Sequence, residues 1–212
     1  MKFFGLLSYF FLCLISLSQA QLCNGNLGDP IVNITFGTAH SRLPQTVTSY
    51  EFTNGCPAKE KYTISNFLIL CGNRTWFSLI GDHTRNVDGA YMVVNAESTP
   101  GTIHIDTANG LCGNTTYQFS AWITNVMQKF TCGGNAVLPN LTFTVRTLSG
   151  LVLATYSTGD IPIEEDKVWK QFGLSFKTPA DISSLILSIT TNPAFGCGSS
   201  FGCMTNCTKQ PF

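Results

Sequence analysis

The sequence predicts an all-β fold, a sandwich or barrel of many short strands, exported and stapled by disulfides. Three observations predict it. Short runs rich in Val, Ile, Thr, Phe and Tyr alternate with period two, Gly, Asn, Asp and Pro fall between the runs, and eight cysteines follow a secretory leader.

The leader comes first. Met1 and Lys2 give a positive start, Phe3 to Leu17 is almost uninterrupted apolar sequence, and Ser18-Gln19-Ala20 places small residues at a cleavage site. This reads as a signal peptide over 1–20. Its apolar run of about 15 residues is short for a bilayer span of roughly 20. No later segment is long and apolar enough to span, so the mature chain is expected outside the cell or at its surface.

Strands are expected at Pro30–Gly37, Thr46–Phe52, Lys61–Leu70, Trp76–Ile80, Tyr91–Ala96 and Thr102–Asp106. More are expected at Thr116–Val126, Leu141–Thr147, Leu151–Tyr156, Val168–Lys177 and Ser184–Thr190. Ser149-Gly150 marks the clearest hairpin, because Gly reaches the positive φ that tight turns need. In Thr116–Val126, alternation puts Tyr117, Phe119 and Ala121 on one face and Gln118, Ser120 and Trp122 on the other. No stretch carries helical periodicity, and about 190 mature residues suit one domain.

Charge is sparse and balanced, 12 basic against 12 acidic side chains, which favours neither nucleic acid nor anionic lipid. Cys13 leaves with the leader. The other eight cysteines form an even set in an exported chain, which reads as a disulfide framework with 105 possible pairings. Two pairings are expected. Cys56 with Cys71 closes one short loop, worth about 3 kcal/mol in the chain-entropy model. Cys132 with Cys197 joins two glycine-rich turns. Cys203 and Cys207 are spaced like zinc ligands but lack a matching His pair.

Two constellations could carry chemistry. The loop Gly81–Gly89 offers Asp82 and Asp88 as hard oxygen ligands for Ca2+, or else Asp82 and Thr84 bond the loop's own backbone. The second is aromatic. Flat rings receive the C–H faces of sugars, and Trp76, Tyr91, Trp122 and Trp169 are candidates. Asn125, Gln118 and Asp106 are candidate polar partners, and His83, in the loop, is a candidate ligand-binding residue that hydrogen-bonds or packs. No Gly-x-Ser-x-Gly, phosphate-binding glycine loop or His-Glu-x-x-His occurs, and Glu164, Glu165 and Asp166 read as a solvated acidic loop.

The segment GDHTRNVDGAYMVVNA from Gly81 resembles the MAM domain of cell-surface proteins at Asp82, His83, Thr84, Gly89, Tyr91, Met92 and Val94. The pieces CNGNLGDPIVNITFG from Cys23, GLCGNTTYQFSAW from Gly110 and PNLTF from Pro139 resemble the N-terminal module of secreted Bacteroidetes adhesin-like proteins. Both resemblances imply a jelly-roll β-sandwich of the galactose-binding, carbohydrate-binding-module type. They also imply a role in adhesion or glycan recognition. Modules of this kind end on an ALDDIxF-like strand after a Gly-Cys-Gly turn. Here Gly196-Cys197-Gly198 leads instead into SSFGCMTNCTKQPF, so the final strand is expected to be missing, and no sorting domain follows. The expected organisation is a leader at 1–20, a module at 21–198 and a divergent tail at 199–212. The expected function is non-catalytic binding of carbohydrate or a cell-surface protein. The alternatives are a jelly-roll hydrolase of extracellular polysaccharide and a structural spacer.

Overall fold

The structure is a computed structural model. It describes residues 32–37, 42–96, 99–193, 196–197 and 201–211, with backbone alone at 32–34 and 201–211. The leader and Cys23 lie outside the described residues. Among the described residues, thirteen strands run in chain order: β1 (Val32–Ile34), β2 (Glu51–Phe52), β3 (Lys61–Ser65), β4 (Phe67–Leu68), β5 (Leu79–Ile80), β6 (Tyr91–Asn95) and β7 (Thr102–Asn109). They continue with β8 (Thr116–Thr124), β9 (Asn140–Thr147), β10 (Val152–Asp160), β11 (Lys170–Lys177), β12 (Ser184–Thr191) and β13 (Phe201–Pro211).

These strands form a disulfide-stapled jelly-roll β-sandwich. The larger sheet has the order β11-β8-β13-β6-β3-β2, with β1 also paired to β13, and the smaller sheet has the order β10-β9-β12-β7. All pairings are antiparallel except β2 with β3. The Ser149-Gly150 turn joins β9 to β10, with Gly150 at φ 93°. Alternation builds the interior. Tyr117, Phe119, Ala121 and Ile123 of β8 face Leu141, Phe143 and Val145 of β9 and Leu185, Leu187 and Ile189 of β12. Phe119 and Phe143 meet edge to face at 5.4 Å. Burying either ring contributes about 1.5–3 kcal/mol.

The expected loss of the last strand is corrected. Residues 201–211 form β13, in the middle of the larger sheet. Met204 pairs with Met92 on one side, and Cys207 and Pro211 pair with Ala121 and Tyr117 on the other. The tail lacks the expected ALDDIxF pattern, but pairing to both neighbours is made by main-chain N–H and C=O groups, which need no particular side chain.

A second apolar cluster lies on the outer face of the larger sheet. In β6, Met92 and Val94 point between the sheets, while Tyr91 and Val93 point outward. They are covered by Leu68 and Leu79 of the β4–β5 flap and by Trp76, Val126 and Met127. The expected strand Lys61–Leu70 breaks at Asn66, where the Ser65 hydroxyl bonds both N–H and C=O of Phe67, and the chain then turns up into the flap. The Cys56–Cys71 bridge anchors this cover, and Cys132–Cys197 ties the segment after β8 to the chain after β12.

Candidate functional site

The outer face of β8 carries Trp122, and two loops wall it in. One is the loop 81–90 between β5 and β6, and the other is the segment 161–169 before β11. Between them lies a cleft of about 710 Å³ bordered by Trp122, His83, Trp169, Ile80 and Val168. Asp82, Arg85, Asp166 and Lys167 supply its charges.

The first loop is built by short polar contacts. The Asp82 carboxylate accepts from the Thr84 N–H (2.8 Å) and hydroxyl, the Thr84 hydroxyl accepts from Asn86 N–H, and the Asn86 side chain accepts from Asp88 N–H. Two glycines make the fold of the loop possible. A Cβ on Gly81, at φ 72°, would stand 2.4 Å from the Asn86 carbonyl oxygen, and one on Gly89 would meet the Asp82 carboxylate at 2.4 Å. The loop therefore holds His83 in place: its imidazole stacks on the Trp122 indole, centroids 4.9 Å apart and planes within 16°. Partial burial pushes the His83 pKa below its ordinary value, and neighbouring Asp82 pulls it partly back.

The second wall is pinned by ion pairs. Glu164 pairs with Lys170, and Glu165 pairs with Lys129 at 2.8 Å, which lowers the Glu165 pKa. Lys167 donates to the Ser78 carbonyl at 3.2 Å and lies 5.7 Å from the Phe77 ring. Trp169 packs edge-on against Tyr91 at 5.9 Å. The acidic run read from sequence as a solvated loop thus delivers Asp166, Lys167 and Val168 to the cleft. Its composition gave no sign of this, because the loop reaches Trp122 only through tertiary contacts.

The expected site residues divide. His83 and Trp122 come together in the cleft, with Asp82 beside them. The other expected ligand contacts, Trp76, Tyr91 and Asn125, are buried, at 3 %, 0 % and 3 % exposure, and do not border the cleft. Trp76 and Tyr91 belong to the second apolar cluster, which sequence alternation alone could not reveal. Tyr91 donates to the Leu79 carbonyl at 2.7 Å, and Asn125 bonds Ile161 O and Met127 N–H. Tyr91 supports the cleft from behind, through its contacts with the lining residues Leu79 and Trp169. Gln118 is buried on β8, and Asp106 lies on β7 of the other sheet. Among the described residues no group of three or more His, Cys, Asp or Glu side chains is placed to hold a metal ion. Asp82 is engaged with Thr84, and Asp88 is exposed.

No family model matches the chain. No curated protein matches it in sequence. Among solved structures, it is similar to the Stig cyclase Fisc from Fischerella sp. TAU, solved in complex with (3Z)-3-(1-methyl-2-pyrrolidinylidene)-3H-indole. That match has a TM-score of 0.51 and 14 % identity, over 93 % of this chain and 92 % of that one. The CBM22-1 xylan-binding domain from Paenibacillus barcinonensis Xyn10C matches at a TM-score of 0.43 and 14 % identity, over 88 % of this chain and 97 % of that one. Bacteriophage CBA120 tailspike protein 4 matches at a TM-score of 0.44 and 12 % identity over 72 % of this chain, which spans only 18 % of that structure. The near full-length match to Fisc shows a shared fold; the fold alone assigns neither ligand nor reaction.

Proposed function

We propose that the chain is an exported, non-catalytic recognition module that binds carbohydrate through the cleft at Trp122. The observation that carries this reading is the cleft itself: the stacked Trp122–His83 pair and Trp169 border one open space, with polar and charged groups at its sides. Aromatic faces suit the apolar faces of pyranose rings, and a few convergent polar groups fix the hydroxyls. Two acidic and two basic side chains balance one another, which suits a neutral glycan. The two disulfides fit an oxidising compartment, in keeping with export by the leader at 1–20. Adhesion to a cell surface through such a glycan, or through a surface protein that carries it, belongs to the same reading.

A glycan array, read with and without chelator, tests it. Binding to a defined glycan class that is lost in Trp122→Ala supports the proposal. Loss of binding on chelation would assign Ca2+ to the loop carrying Asp82 and Asp88. Silence across the array favours a structural spacer. New reducing ends released from the bound polysaccharide would favour a hydrolase, for which His83, Asp82 and Asp166 are the candidate acid–base groups in the cleft.

A further inference from the structure

A second, smaller cavity of about 140 Å³ opens beside the Cys56–Cys71 bridge. Phe67, Leu68, Ile69 and the disulfide give it apolar walls, and Thr63 and Ser65 of β3 line it. The Ser65 hydroxyl is committed to Phe67, donating to its carbonyl at 2.6 Å and accepting from its N–H at 3.2 Å. Thr63 is fully buried, and its hydroxyl has no hydrogen-bond partner. Buried hydroxyls are nearly always paired, with protein, ordered water or a ligand, so an unpaired one lining a cavity marks a place where a ligand group can pair it.

The β4–β5 flap separates this cavity from the Trp122 cleft by one cross-strand pair. Phe67 borders the cavity, its direct partner Ile80 borders the cleft, and both side chains are at least half exposed. Opposed Cβ atoms in such a pair stand roughly 5 Å apart. Register also places Thr63 on the same outer face as Trp122. Thr63 pairs with Val93, Val93 with Cys203 and Cys203 with Thr124, two residues along β8 from Trp122.

Pockets that hold a whole small molecule usually measure about 300–1,000 Å³. This cavity therefore takes a substituent of something larger. Apolar walls with a single unpaired donor match a methyl group joined to a carbonyl. We infer that the cavity receives the acetyl group of an N-acetylhexosamine whose neighbouring sugars occupy the cleft, an inference that rests on the glycan reading above. The methyl lies against Leu68, Ile69 and the disulfide, and the carbonyl oxygen accepts from the Thr63 hydroxyl. The chain crosses the Phe67–Ile80 ridge between the two sites.

Calorimetric titration with a β-1,4-linked N-acetylglucosamine pentamer and the matching glucose pentamer tests this. The wild type is expected to favour the acetylated chain by roughly three- to tenfold, the range for one hydrogen bond. Thr63→Val keeps the side chain's shape and removes the unpaired hydroxyl, so it leaves the melting temperature unchanged or higher and erases the preference. Ile69→Trp, at a half-exposed rim position, erases it by closing the cavity. Equal affinity of the wild type for both chains, or a preference that survives both substitutions, overturns the acetyl site and leaves the cleft reading standing. Binding of neither chain overturns the acetyl site, and binding indifferent to Trp122→Ala overturns both readings.

Discussion

The imidazole of His83 lies 4.9 Å from the indole of Trp122 and nearly parallel to it, although 38 residues of chain lie between them. The contact joins a hydrogen-bonded loop to the outer face of the larger sheet, and it gives the cleft its aromatic base. Trp122 is half-buried and lies outside both apolar clusters. Trp122→Ala should therefore weaken glycan binding by about tenfold or more, as loss of a central aromatic contact does. It should leave the melting temperature nearly unchanged. Calorimetry and thermal melting of the same sample check both halves.

Trp76→Ala should behave in the opposite way. Trp76 is 3 % exposed, packs in the second cluster and bridges to Met127. Truncating it should cost about 3–5 kcal/mol of stability, the usual range for a buried aromatic reduced to Ala. Chemical denaturation measures this directly. A variant that keeps its midpoint would show that the flap is not packed as described.

Acid should destabilise the protein in part through His83. Its folded pKa lies below 6.5 because burial disfavours the charged ring. The unfolded chain therefore takes up the proton first as pH falls. The contribution of His83 to stability is present above about pH 6.5 and is lost as pH drops toward the folded value. His83→Phe keeps a ring over Trp122 and removes the titration. Its melting temperature should vary less between pH 7 and 5 than that of the wild type.

The two disulfides should differ in worth. Cys56–Cys71 closes a separation of 15 residues and Cys132–Cys197 one of 65. Chain entropy predicts a loss of about 3 kcal/mol for the first and about 4 kcal/mol for the second when each pair is changed to Ser. Denaturation midpoints of the two double variants test the order.

Removing residues 201–212 should abolish folding rather than trim a tail. β13 is hydrogen-bonded to β6, β8 and β1, and its loss would leave β6 and β8 with unpaired inner edges. Such a truncation should be insoluble or lack the near-ultraviolet signature of packed aromatic rings.

The sandwich was legible because period-two alternation tracks burial wherever one sheet covers the other. Phe119 faces inward and Trp122 outward, as the pattern in β8 requires. Alternation failed at β6, where Tyr91 to Val94 are buried on both faces, because the flap adds a third layer that no local pattern encodes. For the same reason Trp76, Tyr91 and Asn125 looked available in sequence and are enclosed in space. His83 and Trp122 were readable one by one as rings, but their pairing was not. β13 is not legible in the sequence because its run, with a Pro and two cysteines, resembles no apolar strand, and its place depends on an edge supplied by residues at least 79 positions earlier.

The position of β13 also sets an order in time. Strands β6 and β8 are separated by only twenty residues of intervening chain, yet they never touch each other as neighbours; each waits for β13, which lies far downstream of both. Until that stretch emerges, the nascent polypeptide carries two open edges and half-covered aromatic rings, a state prone to wrong association. Secretion in extended form, followed by folding in one event on the far side, would spare the chain that exposure.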